Sequence, residues 1–162
     1  MEKKTYLTFI LGKEFFAVNV ANVLEVLEHR FITPVPQAPE HIMGIINFRG
    51  DILPVLNTRM LFGLPNKSEE FLDYIIVFDM SSNENKLLIA ATADAVRDVI
   101  EVTDEEIKPV PEMGISYNAK YISGVIQHNE KFILLLNAHK VLSISDLDLI
   151  VGNDEKQLTI NN

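Results

Sequence analysis

Ile42-Met-Gly-Ile-Ile-Asn-Phe-Arg-Gly-Asp-Ile-Leu-Pro-Val-Leu-Asn57 returns 80 residues later as Ile122-Ser-Gly-Val-Ile-Gln-His-Asn-Glu-Lys-Phe-Ile-Leu-Leu-Leu-Asn137. Each copy is a pair of short apolar runs around a polar turn. The first pair is Ile42–Phe48 and Ile52–Leu56 around Arg49-Gly50-Asp51, and the second is Ile122–Ile126 and Phe132–Leu136 around His128-Asn129-Glu130. Runs of this length bounded by turn residues predict β-hairpins. The likeness continues outward. Val23-Leu-Glu-Val-Leu-Glu28 resembles Val96-Arg-Asp-Val-Ile-Glu101, and Ile32-Thr-Pro-Val-Pro36 resembles Ile107-Lys-Pro-Val-Pro111. The offset grows from 73 through 75 to 80, so the second copy carries two small insertions. Matches in one order, at a period far too long for a solenoid, predict tandem copies of a small module.

The remaining segments fit a β module. Tyr6–Leu11 and Phe15–Val18 are split by Gly12-Lys13, and Tyr74–Phe78 and Leu87–Ala91 flank the polar loop Ser81–Asn85. Short strands at this spacing predict small barrels, which leave no exposed sheet edges. Pro34, Pro36, Pro39, Pro109 and Pro111 mark extended connections, because proline cannot donate to a central ladder. Helical pieces are few. Asn57 and Asn137 are placed to cap the turns Thr58–Phe62 and Ala138–Leu142, with Gly63 ending the first. Asp104-Glu105-Glu106 reads as a helix start. Val20, Val23, Leu24 and Leu27 have helical spacing, yet the matching Val96–Val102 is β-rich, which leaves helix and strand both open there. Ile144–Val151 reads as a terminal helix and 152–162 as a polar tail. The expected division is one barrel over about 14–80 and a second over about 81–145, completed by the N-terminal strand 5–11.

Composition narrows the function. A chain of 162 residues with net charge −9 repels phosphate, which argues against nucleic acid and an anionic membrane surface. The absence of Cys excludes disulfides and thiolate chemistry. No apolar run approaches the roughly 20 residues of a membrane span, so a soluble cytoplasmic protein is expected. Histidines 29, 41, 128 and 139 form no metal-ligand pair, and the seven glycines form no phosphate cradle. Asp104–Glu106 reads as a solvated helix start rather than a catalytic cluster. Neither a cofactor nor a catalytic site is expected, and the chain reads as a binding scaffold.

Positions shared by the copies point to structure, and positions that differ point to function. Gly44 and Gly124 occupy the same point of the same strand. A glycine there marks either a corner or the close approach of another backbone, a partner's included. The first copy has Asn47-Phe48-Arg49-Gly50 where the second has Gln127-His128-Asn129-Glu130. Arg49 stands in a turn of an acidic protein, open to a solvated reading or to carboxylate recognition.

Gly44-Ile-Ile-Asn-Phe-Arg-Gly50, followed by Ile52-Leu-Pro-Val-Leu-Asn-Thr-Arg59, resembles the signature of the CheW family of bacterial chemotaxis coupling proteins. So do Phe9-Ile-Leu-Gly12, Glu25-Val-Leu-Glu28, Pro34-Val-Pro36, Asp94-Ala-Val-Arg-Asp-Val-Ile100 and Tyr121-Ile-Ser-Gly124, over roughly 5–145. The resemblance implies an all-β, CheW-like fold of two tandem SH3-like five-stranded β-barrels with a few short helices. It implies a non-catalytic adaptor that couples methyl-accepting chemotaxis receptors to the histidine kinase CheA at receptor arrays. The partners it implies are the regulatory domain of CheA and the cytoplasmic tip of the receptors. Carried over by position, Gly44, Asn47, Arg49 and Gly50 fall at partner-binding places. Val23 and Glu25 fall on a kinase-contacting segment, and Val96 and Gly124 match interaction positions of the second copy. Ile89-Ala-Ala-Thr-Ala93 departs from the Val/Gly-rich strand common in the family. A receptor tip is a helical hairpin, so a groove between the barrels with Arg49 at its rim is the expected dock. The alternative is a small-ligand-binding or enzymatic barrel that uses the cleft between the barrels.

Overall fold

The computed structural model describes residues 2–28, 30–65, 74–111 and 121–142. The helix expected at Ile144–Val151 and the tail 152–162 lie outside the described residues. In chain order the elements are β1 (Lys3–Leu11), β2 (Glu14–Asn19), β3 (Val23–Leu27), β4 (Ile42–Phe48), β5 (Asp51–Leu56), α1 (Thr58–Leu61), β6 (Tyr74–Asp79), β7 (Leu88–Ala93), β8 (Ala95–Thr103), β9 (Ile122–His128), β10 (Lys131–Leu136) and α2 (Ala138–Leu142). They form two five-stranded sheets, ordered β3-β6-β7-β5-β4 and β8-β1-β2-β10-β9. The duplicated segments take matching places: β3 with β8, β4 with β9, β5 with β10 and α1 with α2.

The two orders superimpose only if the hairpin β1–β2 stands where β6–β7 stands in the other sheet. The second barrel therefore takes its inner hairpin from the N-terminus. This moves the expected division near residue 80. Residues 14–19 belong to the second sheet, and 88–93 belong to the first. Two parallel pairings decide it, Ile133 with Phe15 between β10 and β2, and Val55 with Ala90 between β5 and β7. Such long-range pairings leave no mark in local periodicity.

Each sheet closes on itself through its proline-rich segment. After β3 the chain returns so that Thr33 pairs with Ile45, with N–H···O distances of 3.0 and 2.8 Å. After β8, Lys108 pairs with Val125 at 2.9 and 2.8 Å. The shared glycines sit under these crossings. A Cβ on Gly44 would lie 2.1 Å from the Thr33 carbonyl oxygen, and one on Gly124 would lie 2.6 Å from Ile107 Cγ2. The close backbone approach expected at both glycines is made by the chain itself.

Three apolar clusters follow from the strand alternation. Leu27, Ile46, Phe48, Leu53, Ile75 and Val77 are among those filling the first barrel. Tyr6, Ala17, Val102, Ile126, Ile133 and Leu135 fill the second. The third cluster lies between the barrels and draws on both sheets, with Phe9, Phe16 and Val18 from one and Leu56, Ile76 and Phe78 from the other. On β6, Ile75 and Val77 point into the barrel while Ile76 and Phe78 point into the seam. Strands buried on both faces must be apolar throughout, which is why Tyr74–Phe78 shows a run rather than alternation.

The ambiguous segment at 20–27 is both things in turn. A 3-10 turn at Val20–Asn22, capped by Asn19 Oδ1 accepting from the Ala21 N–H at 2.9 Å, runs into β3. Asn57 and Asn137 cap α1 and α2 as expected, accepting from the N–H groups of Met60 and Lys140 at 3.2 and 3.1 Å. At Asp104–Glu106, a 3-10 turn, the Thr103 N–H and hydroxyl both donate to Glu106 and hold its carboxyl below the ordinary range.

Candidate functional site

The β4–β5 connection is a two-residue turn with Arg49 at φ 51° and Gly50 at φ 87°, the left-handed pair that suits the twist of a hairpin. Asn47 braces it. Its Oδ1 accepts the Gly50 N–H at 3.2 Å, and its carbonyl accepts from Arg30 Nη1 at 2.9 Å. The Arg49 guanidinium carbon lies 4.8 Å from the ring centroid of Phe48, a buried residue of the barrel interior. Arg49 Nη2 donates to Glu25 Oε2 on β3 at 3.3 Å. The two side chains are 64% and 37% exposed, and a pair so wet adds at most about 1 kcal/mol to stability. The guanidinium lies over a fixed ring and beside one carboxylate, with most of its side chain exposed.

Beside this turn is an open groove of about 390 Å³ lined by Arg30, Phe31, Thr33, Ile45, Ile46, Asn47 and Ile52. Phe31 is 77% exposed and Ile52 69%. Asn47 belongs both to the turn and to the groove, so the end of the first barrel presents apolar side chains beside fixed charges. That composition is the one found at protein–protein interfaces, where aromatics and Arg are enriched.

Of the expected site residues, Glu25, Asn47, Arg49 and Gly50 are brought together here. Val23 and Val96 are half-buried and pack against the seam between the barrels, one on each sheet. Gly44 and Gly124 are buried beneath their own chain. Gly44 lies on β4, the strand that leads into the Arg49 turn, and Gly124 holds the matching place on β9 of the second barrel. Phe31 and Ile52 were missed. Ile52 could have been found, because Leu53 and Val55 point into the barrel and the period of two then turns Ile52 outward.

The second barrel repeats the turn with different chemistry. Asn129 and Glu130 take φ 50° and 66°, and Lys131 Nζ sits 4.5 Å from the Phe15 ring centroid. The place of Glu25 is held by Asp98, whose backbone N–H and carbonyl both bond the Thr8 hydroxyl.

Among the described residues, the place expected for a groove between the barrels is packed with apolar side chains. Of these residues, Phe9, Val18, Ile76, Phe78, Thr58 and Thr92 among others line a void of about 20 Å³ in the seam. That is room for about one water, and nothing in it favours a small-ligand-binding or enzymatic cleft. Arg49 does not rim this seam; its contacts all lie in the first sheet. Among the described residues no three His, Asp or Glu side chains gather where a cation could bind, and no helix is long and apolar enough to cross a membrane.

Two barrels joined by a packed seam expose apolar side chains beside charges at the end of the first. Residues 5–146 match the family model of the CheW-like domain, and the chain belongs to that family. It is 27% identical to the chemotaxis protein CheW of Treponema pallidum over 155 residues, covering 93% of this chain and 89% of that protein. It is 30% identical to CheW of Rhizobium meliloti over 151 residues, with the same two coverages. The crystal structure of the scaffolding protein TtCheW from Thermoanaerobacter tengcongensis matches with a TM-score of 0.75 at 27% identity, over 90% of this chain and 96% of that one. The chain is a non-catalytic coupling scaffold of chemotaxis signalling.

Proposed function

We propose that this scaffold joins the regulatory domain of the histidine kinase CheA to the cytoplasmic tip of methyl-accepting chemotaxis receptors, so that receptor state controls kinase autophosphorylation. It works in the cytoplasm, held at receptor arrays by these contacts. The observation that carries the reading is the end of the first barrel. There Arg49, steered by Glu25 and seated on Phe48, stands beside the exposed apolar pair Phe31 and Ile52. Glu25, Asn47, Arg49 and Gly50 are the partner-contacting residues of this face. Val23 and Val96 act from the seam, and Gly44 and Gly124 act through strand shape. The net charge of −9 supports a protein partner over nucleic acid. Each interface is expected to bury roughly 1,000–1,600 Å² in total and to be strengthened by array avidity.

Arg49→Glu tests this face. The substitution places a carboxylate opposite Glu25 while removing a pair of little worth to the fold. Thermal unfolding is expected to shift little, while affinity for one partner falls about tenfold or more in titration calorimetry. Unchanged affinity for both kinase and receptor would remove Arg49 from the contact surface.

A further inference from the structure

Asp94 is the single residue between β7 of the first barrel and β8 of the second, so the chain passes from one barrel to the other through it. Its carboxylate is held from both sides. Arg59 of α1 donates through Nε to Oδ1 at 2.9 Å and through Nη2 to Oδ2 at 2.5 Å. The Gly12 N–H, in the β1–β2 turn of the second barrel, donates to Oδ2 at 2.7 Å. The backbone joins in, with the Asp94 N–H donating to the Ile10 carbonyl at 2.8 Å. Arg59 is tied down in turn by Nη1 donating to the Pro65 carbonyl at 2.6 Å. The two side chains are only 16% and 13% exposed. The fork of Arg59 and the carboxylate of Asp94 thus bridge both barrels and the link between them.

The seam beneath is apolar, and apolar contact is non-directional. Residues such as Val18, Ala91 and Ala93 fill space without demanding one angle between the barrels. A bidentate guanidinium–carboxylate pair does demand one, because its bonds hold only in one relative orientation. A buried ion pair adds little net stability over apolar replacements, and setting a unique register is its best-attested use. We infer that the Arg59–Asp94–Gly12 cluster is a register lock. It fixes the angle between the barrels, and with it the relation of the Arg49 face to the surfaces of the second barrel. Arg59 and Asp94 are positioning residues in this role. Its consequence for coupling rests on the function proposed above; the register itself does not.

The chain has no cysteine, so Ile52→Cys and Phe132→Cys give unique spin-label sites on exposed strand positions, one per barrel. The pulsed-dipolar distance between them reads the angle without any partner. The native sequence is expected to give one distance with the width set by label rotamers. Asp94→Asn keeps the shape but loses the charge, and Arg59→Met keeps the stem but loses the fork. Each is expected to broaden the distribution or add a second distance, with Arg59→Lys intermediate because it keeps the charge but not the bidentate geometry. Wild-type distance and width in the folded variants, with only the melting temperature lowered, would overturn the lock and leave a stability element. In unlabelled chains the same variants are expected to lose the ternary complex with kinase and receptor while keeping each pairwise interaction. A broadened distance with an unaffected ternary complex would retain the lock but overturn its role in coupling.

Discussion

Gly44→Ala is expected to open the first barrel at a cost of about 3–4 kcal/mol, while Gly124→Ala costs about 1–2 kcal/mol. The difference comes from what each new methyl meets. At Gly44 it would strike backbone, the Thr33 carbonyl oxygen at 2.1 Å and its carbon at 2.7 Å. Backbone there can yield only by breaking the Thr33–Ile45 bridge that closes the sheet. At Gly124 the methyl meets Ile107 Cγ2 at 2.6 Å, a side-chain methyl rather than backbone, and the Lys108 carbonyl oxygen only at 3.1 Å. Neither glycine needs a left-handed backbone, so crowding alone sets the cost. Urea unfolding of the two variants checks the order, and an equal loss at both positions would mean that the crossing over Gly44 is not tight.

Phe9→Ala is expected to cost about 3–5 kcal/mol, the range for removing a large buried ring. Phe9 is 2% exposed, stacks on Phe16 at 5.8 Å between centroids, and already borders the void in the seam. Neighbours beside an existing void have little means of collapsing into a new one. The ring belongs to β1 of the second sheet but packs in the cluster that both sheets share. Both barrels are therefore expected to lose protection together. Amide exchange of β6 should accelerate along with that of β2, and acceleration confined to the second sheet would show the seam to be two independent surfaces.

Much of this architecture is legible in the sequence, for identifiable reasons. The duplicated hairpins at 42–57 and 122–137 carry their own turn chemistry, and Asn57 and Asn137 stand one residue before the helices they cap. Gly44 and Gly124 can be recognised as close approaches, although the Cβ-sized space beside each is taken by a segment that only the fold brings there. The exchange of inner hairpins between the halves is not legible. Strands apolar on both faces carry no alternation to say which barrel they serve, and the parallel pairings of β5 with β7 and β10 with β2 join segments far apart in the chain. The site divides the same way. Arg49 and its turn stand out as the odd charge in a repeated motif. Phe31 does not, because exposure is a property of packing. The Arg59–Asp94 pair, 35 residues apart, stays hidden until the fold brings its halves together.

The most direct test of the coupling role is co-sedimentation of CheA with receptor-containing membranes from the same organism, with this protein added or omitted. Kinase sedimentation and autophosphorylation are both expected to rise only when the protein is present. A protein that binds neither kinase nor receptor, at low or at high salt, would contradict the account and leave a CheW-like fold without the coupling role.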